Sequence, residues 1–325
     1  MIIPQYWAEA RAQRRDKGQQ TTIRRFGWSD TSQDDAQALA ESRAQEALRR
    51  TLSGERLDRR EPKVPYNGAE GVPIREEIVS RHGEAVVTRN SYGAKCLNSP
   101  GTLFADIDFD THAKLPLPVA ILAALLLLGT AAAWLTGAKL AALASLILLL
   151  PLIAVEGVLR RHHRKRGKAE AEQLARRRAS QFLESRPDWN LRLYRTPAGM
   201  RLLATHQPFQ PGEPAVSEFF QATATDPLYA RMCLNQQCFR ARVSPKPWRM
   251  GIETHLKPRP GVWPVAPERL SERNAWIANY EEKSRAYAAC AFVEAIGSGV
   301  THPDVKATQE LHDELSGAIS GLPLA

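Results

Sequence analysis

Three aspartates alternate with apolar residues along a short stretch of strand-like sequence, and they are the sharpest candidates for chemistry. Asp106, Asp108 and Asp110 lie in the sequence Leu-Phe-Ala-Asp-Ile-Asp-Phe-Asp at 103–110. Because successive side chains of a strand point to opposite faces, the three carboxylates project from one face. Such oxygen ligands bind Mg²⁺ or Mn²⁺, which can bridge to substrate phosphates. The alternative is a solvent-facing strand whose acids are balanced by basic neighbours.

A predicted hairpin carries the second group of candidates. Residues 196–199 (Thr-Pro-Ala-Gly) have the proline and glycine of a tight turn, which Thr196 can cap. On either side, Arg195 and Arg201 suit bidentate contacts with phosphate. His206 ends the second strand of the hairpin. We predict phosphate or nucleotide contacts from these four side chains, with a purely structural turn and a solvated histidine as the alternative.

A third group combines basic residues with an aromatic one. Alternation along residues 238–243 places Arg240 and Arg242 on one face of a predicted strand, with Lys246 and Trp248 just beyond it. Basic and aromatic side chains on a strand surface are typical of sites for nucleotides or single-stranded nucleic acid. The same arginines could instead neutralise the aspartates of residues 106–110. The two interpretations are compatible.

The elements that would position these groups follow a β-α-β-β-α-β order, which is that of a ferredoxin-like domain. We expect this α+β domain to comprise residues 75–114 and 169–250, and to lie in the cytoplasm. Its predicted elements are strand 102–109, helix 169–185, strands 190–196 and 200–206, helix 214–224 and strand 238–243.

A 45-residue apolar stretch, residues 115–159, interrupts this order. A membrane-spanning helix needs roughly 20 apolar residues. The stretch therefore predicts a transmembrane hairpin with helices at 115–135 and 140–159. We expect a two-span integral protein of the bacterial inner membrane, with the hairpin inserted into one domain.

A juxtamembrane basic run, residues 160–168, follows the apolar stretch. Short basic loops remain on the cytoplasmic side of a membrane, so both termini are expected in the cytoplasm. The run would also attract anionic lipids of the bilayer. Its six cations are Arg160, Arg161, Arg164, Lys165, Arg166 and Lys168.

Flanking segments complete the predicted organisation. Residues 1–57 form an N-terminal segment with helix at 5–17, a strand at 22–28 and a long helix at 32–52. Residues 268–316 form C-terminal helices at 268–296 and 303–316. The four cysteines are scattered without a zinc pattern or a disulfide framework, which fits a reducing compartment.

The acidic pair and the hairpin motif together resemble the archaeo-eukaryotic primase and primase-polymerase superfamily over residues 100–250. The resemblance implies that Asp106 and Asp108 bind a divalent metal and that the motif at 196–199 contacts an incoming nucleotide. Met200 and Leu202 stand where the motif has its second glycine and its histidine. A degenerate relative that binds without catalysing is therefore also consistent with the resemblance.

Two function classes follow from these residues. One is a metal-dependent enzyme or binding domain for a nucleotide or phosphate ester, with the ion neutralising charge on the transferred group. The other is a non-catalytic, membrane-anchored scaffold or nucleic-acid-binding protein, in which the same acids and arginines form structural salt bridges. An open cleft around Asp106 and Asp108 favours the first class, and covered ion pairs favour the second.

Overall fold

The computed structural model describes residues 3–16, 19–61, 73–109, 117–138, 140, 143, 166–259, 261 and 263–325. The chain divides into two compact units. One comprises Met1–Ile107 together with Ser180–Ala325, and the other comprises Asp108–Ala179. In its described part the protein is mixed α+β, with three sheets and seven helices.

The chain begins with a two-stranded antiparallel ribbon, β1 (Tyr6–Asp16) and β2 (Gln19–Ser29), packed against helix α1 (Gln33–Leu52). Small side chains permit close packing, since Ala8 and Ala10 of the ribbon form one buried cluster with Ala36, Ala40 and Ala44 of the helix. The prediction of a helix at 5–17 is wrong. Alanines at every second position supply the flat face that a strand presents to α1, although alanine favours helices locally.

One four-stranded sheet has the order β3-β4-β5-β9. It gathers three consecutive strands and one from much later in the chain. They are β3 (Glu77–His82), β4 (Ala85–Arg89), β5 (Lys95–Ser99) and β9 (Phe239–Arg242). The neighbours pair antiparallel throughout.

The other four-stranded sheet has the order β10-β7-β8-β6. Its strands are β6 (Phe104–Asp108), β7 (Asn190–Arg195), β8 (Gly199–Ala204) and β10 (Ala291–Gly297). The predicted hairpin is present as β7 and β8. The ferredoxin-like prediction is wrong, because β9, the last strand of that pattern, pairs with β5 of the other sheet instead of closing this one.

Helices of the described chain follow α1 in sequence. They are α2 (Leu117–Leu135), α3 (166–185), α4 (Pro214–Thr223), α5 (Pro227–Gln236), α6 (Leu270–Ser284) and α7 (Pro303–Ser316). The predicted helix at 303–316 is confirmed. The prediction of one helix over 268–296 is wrong, since α6 ends at Ser284 and β10 follows. Phe292 of β10 packs edge-on against Tyr194 of β7, and this pairing overrides the helical pattern.

The described chain contains no helix that is long and apolar enough to cross a membrane. The prediction of a two-span integral membrane protein is therefore wrong, and so is the anchored scaffold derived from it. Except for Leu140 and Leu143, the second predicted span lies outside the described residues, as do Arg160, Arg161, Arg164 and Lys165.

Candidate functional site

Asp106 lies on β6 next to Arg201 of the neighbouring strand β8, and the two side chains form a bidentate ion pair. Arg201 Nε donates to Asp106 Oδ1 at 2.7 Å, and Nη2 donates to Oδ2 at 3.0 Å. The arginine side chain is only 2% exposed, whereas the aspartate keeps 33% exposure. Burial alone would lower the pKa of Arg201, but the charge and hydrogen bonds of Asp106 raise it above the usual value. Both carboxylate oxygens are therefore engaged by a permanent cation.

The buried guanidinium of Arg201 continues into a polar network. Its Nη1 donates to the carbonyl of Arg242 at 3.0 Å and lies 3.2 Å from His312 Nε2. On the other side of the imidazole, Nδ1 lies 3.0 Å from Asp313 Oδ1, and Asp313 Oδ2 accepts from Arg192 at 2.7 Å. Since Arg201 can only donate, this geometry assigns a neutral imidazole with its proton on Nδ1.

Cys290, His312 and Asp313 have the residue types of a nucleophile, a base and an orienting acid. Cys290 Sγ lies 3.9 Å from His312 Nε2 and 3.3 Å from Ser316 Oγ. However, both Cys290 and His312 are fully buried, and burial raises the pKa of the thiol. The base nitrogen already accepts from Arg201. The trio therefore packs as part of the core, without the exposed thiolate that nucleophilic catalysis needs.

Sequence reasoning missed the His312 part of this network. The available signal was the helical spacing of Val305, His312 and Ser316, which are all buried on one face of α7. A histidine on such a face is a candidate for a buried hydrogen-bonded role. Its partner Arg201 lies 111 residues earlier in sequence, which no local pattern indicates.

Arg240 of β9 has a different acidic partner from the one expected. Its Nη2 lies 2.7 Å from both carboxylate oxygens of Glu76, and its Nη1 donates to Asn98 Oδ1 at 2.9 Å. Burial would lower the pKa of Arg240, but nearby acidic groups, including Glu76, raise it above the usual value. This arginine neutralises Glu76, while Arg242 Nη1 donates to the carbonyl of Ser244 at 2.6 Å.

The hairpin candidates separate from one another in the structure. Thr196 closes the β7–β8 turn, where its Oγ1 accepts from the Gly199 amide at 2.9 Å. Arg195 is exposed at the end of β7. His206 is buried against Trp189 and Phe209, with ring centroids 4.6 and 5.3 Å away. Burial lowers the pKa of His206, which keeps the ring neutral. These side chains do not converge with Arg201 on one open phosphate site.

Asp108 is exposed at the end of β6, and Asp110 lies outside the described residues. Across the described ranges, no group of three or more histidine, cysteine or acidic residues is placed to hold a metal ion. The site for Mg²⁺ or Mn²⁺ stays a prediction. Of the predicted lipid-contacting cations, Arg166 and Lys168 lie in α3.

Two predicted residues, Lys246 and Trp248, do meet at the surface, together with Tyr92, which was not predicted. Trp248 is 55% exposed, its ring centroid lies 5.2 Å from that of Tyr92, and Lys246 Nζ is 5.4 Å from the Trp248 centroid. We call Tyr92, Lys246 and Trp248 the aromatic patch. It combines an exposed indole with a cation.

Comparisons with known protein families, with curated proteins and with solved structures find no match.

Proposed function

We propose that this chain is a non-catalytic binding protein in which the predicted acids and arginines form structural ion pairs. The bidentate contact between Asp106 and the buried Arg201 carries this proposal. A metal at Asp106 would compete with Arg201 for the carboxylate, and displacement of Arg201 would leave a guanidinium charge without its partner in the core. Removing one partner of a buried pair typically costs about 3–5 kcal/mol. That cost opposes a metal role for Asp106.

Calorimetric titration of the protein with Mg²⁺ and Mn²⁺, with and without a nucleoside triphosphate, tests the proposal. We expect no saturable heat that depends on Asp106 in the comparison of wild type with Asp106→Asn. Asp30→Asn, an exposed aspartate before α1, is the matched control. Metal binding that is present in the wild type and in the control, but lost in a folded Asp106→Asn protein, would overturn the proposal.

The aromatic patch suggests what the protein binds. Because bases stack on exposed aromatic rings and lysine contacts the backbone, single-stranded nucleic acid is the ligand that this chemistry fits. The observation in favour is the 55% exposure of Trp248, which is unusual for so large an apolar side chain. We infer stacking of a base on Trp248, with Lys246 next to a phosphate.

Fluorescence anisotropy of a labelled oligothymidylate tests the patch. We expect Trp248→Ala to weaken binding by about 1–3 kcal/mol, the contribution of one stacked base. Lys306→Ala, which removes an exposed lysine of α7, is the control for general charge. Equal affinity of the wild type and Trp248→Ala would exclude the patch as the binding surface.

A further inference from the structure

A surface pocket of about 360 Å³ lies between the loop 254–259 and the start of α6, and none of the predicted site residues is among its lining residues. Lys257, Arg259 and Arg269 line it together with His255, and Glu272 is the one carboxylate among its described lining residues. With histidine neutral, three cations and one anion leave a formal charge of +2. We call this feature the basic pocket.

The carboxylate of Glu272 does not neutralise the positive charge of the basic pocket. Glu272 Oε1 lies 3.2 Å from Lys257 Nζ, and its Oε2 lies 3.0 Å from Arg269 Nη2. It therefore already pairs with two of the three cations. Arg259 forms no ion pair with any part of the chain that the structure describes. Arg259 therefore contributes to the surplus positive charge, and its guanidinium donors are available to a ligand.

We propose that the basic pocket binds a small phosphorylated molecule through its phosphate group. A phosphate monoester carries a charge of about −1.5 to −2 at neutral pH, which matches the surplus. Guanidinium groups such as those of Arg259 and Arg269 hold phosphate oxygens in bidentate fashion, and Lys257 acts as a point charge. The pocket lies at the small end of ligand sites, which span about 300–1,000 Å³, so it suits a compact ester.

Calorimetric titration of the full chain with glycerol phosphate and, separately, with inorganic phosphate tests this proposal at constant ionic strength. We expect saturable binding, tighter for the ester because the pocket has space beyond the phosphate. Arg259→Ala and Arg269→Ala should each weaken binding by about tenfold or more, the loss expected for one charged hydrogen bond. Arg259 is exposed and unpaired in the described chain, so its variant should keep the wild-type unfolding midpoint.

Lys283→Ala is the matched control, because it removes one charge from the last turn of the same helix. Its affinity should stay within twofold of the wild type. An equal loss in Lys283→Ala and Arg259→Ala, or no saturable binding in the folded wild type, would overturn the proposal. Inorganic phosphate binding as tightly as the ester would overturn the assignment to a phosphorylated molecule. Because Asp106 and Trp248 take no part, these outcomes are separate from the tests of the proposed function.

Discussion

At the scale of single residues, the main feature of this protein is a set of buried arginines that depend on acidic partners. Arg201, Arg240 and Arg273 are at most 8% exposed, and each pairs with an acid. Desolvating a guanidinium costs several kcal/mol, which a bidentate carboxylate offsets only while both partners are present. Each pair therefore adds little net stability, but the loss of one partner strongly destabilises the fold.

Asp106→Asn should destabilise the protein by about 3 kcal/mol, at the low end for a broken buried pair, because Asp106 itself keeps partial exposure. The asparagine cannot neutralise Arg201. Urea unfolding measures the change, and Asp30→Asn should change the free energy of unfolding by less than about 0.5 kcal/mol. A fully stable Asp106→Asn protein would contradict the structural role of the pair.

The buried histidines make stability depend on pH. Burial lowers the pKa of His312, partly opposed by Asp313, and also lowers that of His206. Below the unfolded value of about 6.5 the unfolded chain binds more protons than the folded one, so stability falls as pH decreases. One such histidine contributes at most about 1.4 kcal/mol per pH unit.

His312→Gln should reduce this slope between about pH 6.5 and pH 5, since glutamine can still accept from Arg201 but does not titrate. Burial would raise the pKa of Asp313, but the hydrogen bond from His312 helps to lower it. The Asp313 carboxylate therefore loses its contribution to stability only at more acidic pH. Urea unfolding across the pH series gives the slope. His82→Gln, at an exposed position of β3, should leave it unchanged.

At the scale of elements, Tyr229 of α5 joins the two four-stranded sheets. Its hydroxyl donates to the carbonyl of Phe104 on β6 at 3.0 Å and accepts from the amide of Arg240 on β9 at 3.3 Å. In a ferredoxin-like sheet β6 and β9 would pair directly, whereas here the Tyr229 side chain lies between them. Asp226, at the start of α5, makes a further contact with β6, because its amide donates to the Asp106 carbonyl at 3.1 Å.

Tyr229→Phe should lower the free energy of unfolding by about 1–3 kcal/mol, because it removes the hydroxyl that bonds to a buried backbone donor and to a buried backbone acceptor. The ring remains, so the packing of α5 is preserved. Thermal unfolding gives the comparison, with Tyr287→Phe at a partly buried position as control. If both variants unfold at the wild-type temperature, the hydroxyl does not join the sheets.

Local patterns identified the elements with clear caps or turns, but they did not identify the pairings. The helix at 303–316 and the hairpin around 196–199 carry proline and glycine at the positions that a helix start and a tight turn require. In contrast, β1 and β10 are strands because of what they pack against. The partner of Asp106 is 95 residues away, so no local pattern indicated that Arg201 would engage its carboxylate.

At the scale of the whole molecule, the larger unit is assembled from both ends of the chain. Met1–Ile107 supplies β5 and β6, and Ser180–Ala325 supplies their partners β9 and β8. An ion pair also joins the two parts of the chain, because Arg273 Nη2 lies 2.6 Å from Glu77 Oε2 although the two residues are 196 positions apart in sequence. Neither part contains a complete four-stranded sheet.

A fragment of residues 180–325 alone should therefore show no cooperative urea transition. Its β8 and β9 would each lack a neighbouring strand. Addition of a fragment of residues 1–107 should restore cooperative unfolding, followed by circular dichroism. A stable and cooperative 180–325 fragment would show that the unit does not require the N-terminal strands.

The discontinuity of this unit also has a consequence for synthesis on the ribosome. The edges of β5 and β6 emerge early, but β8 follows β6 only after about 95 further residues, which take roughly 5–20 s to translate. During that interval the paired state does not exist, and the unpaired strand edges are open to wrong partners. The β6 edge is therefore open to aggregation and to chaperones between the synthesis of Ile107 and that of Ala204, and the β5 edge stays open until Arg242 is made, whatever the stability of the finished protein.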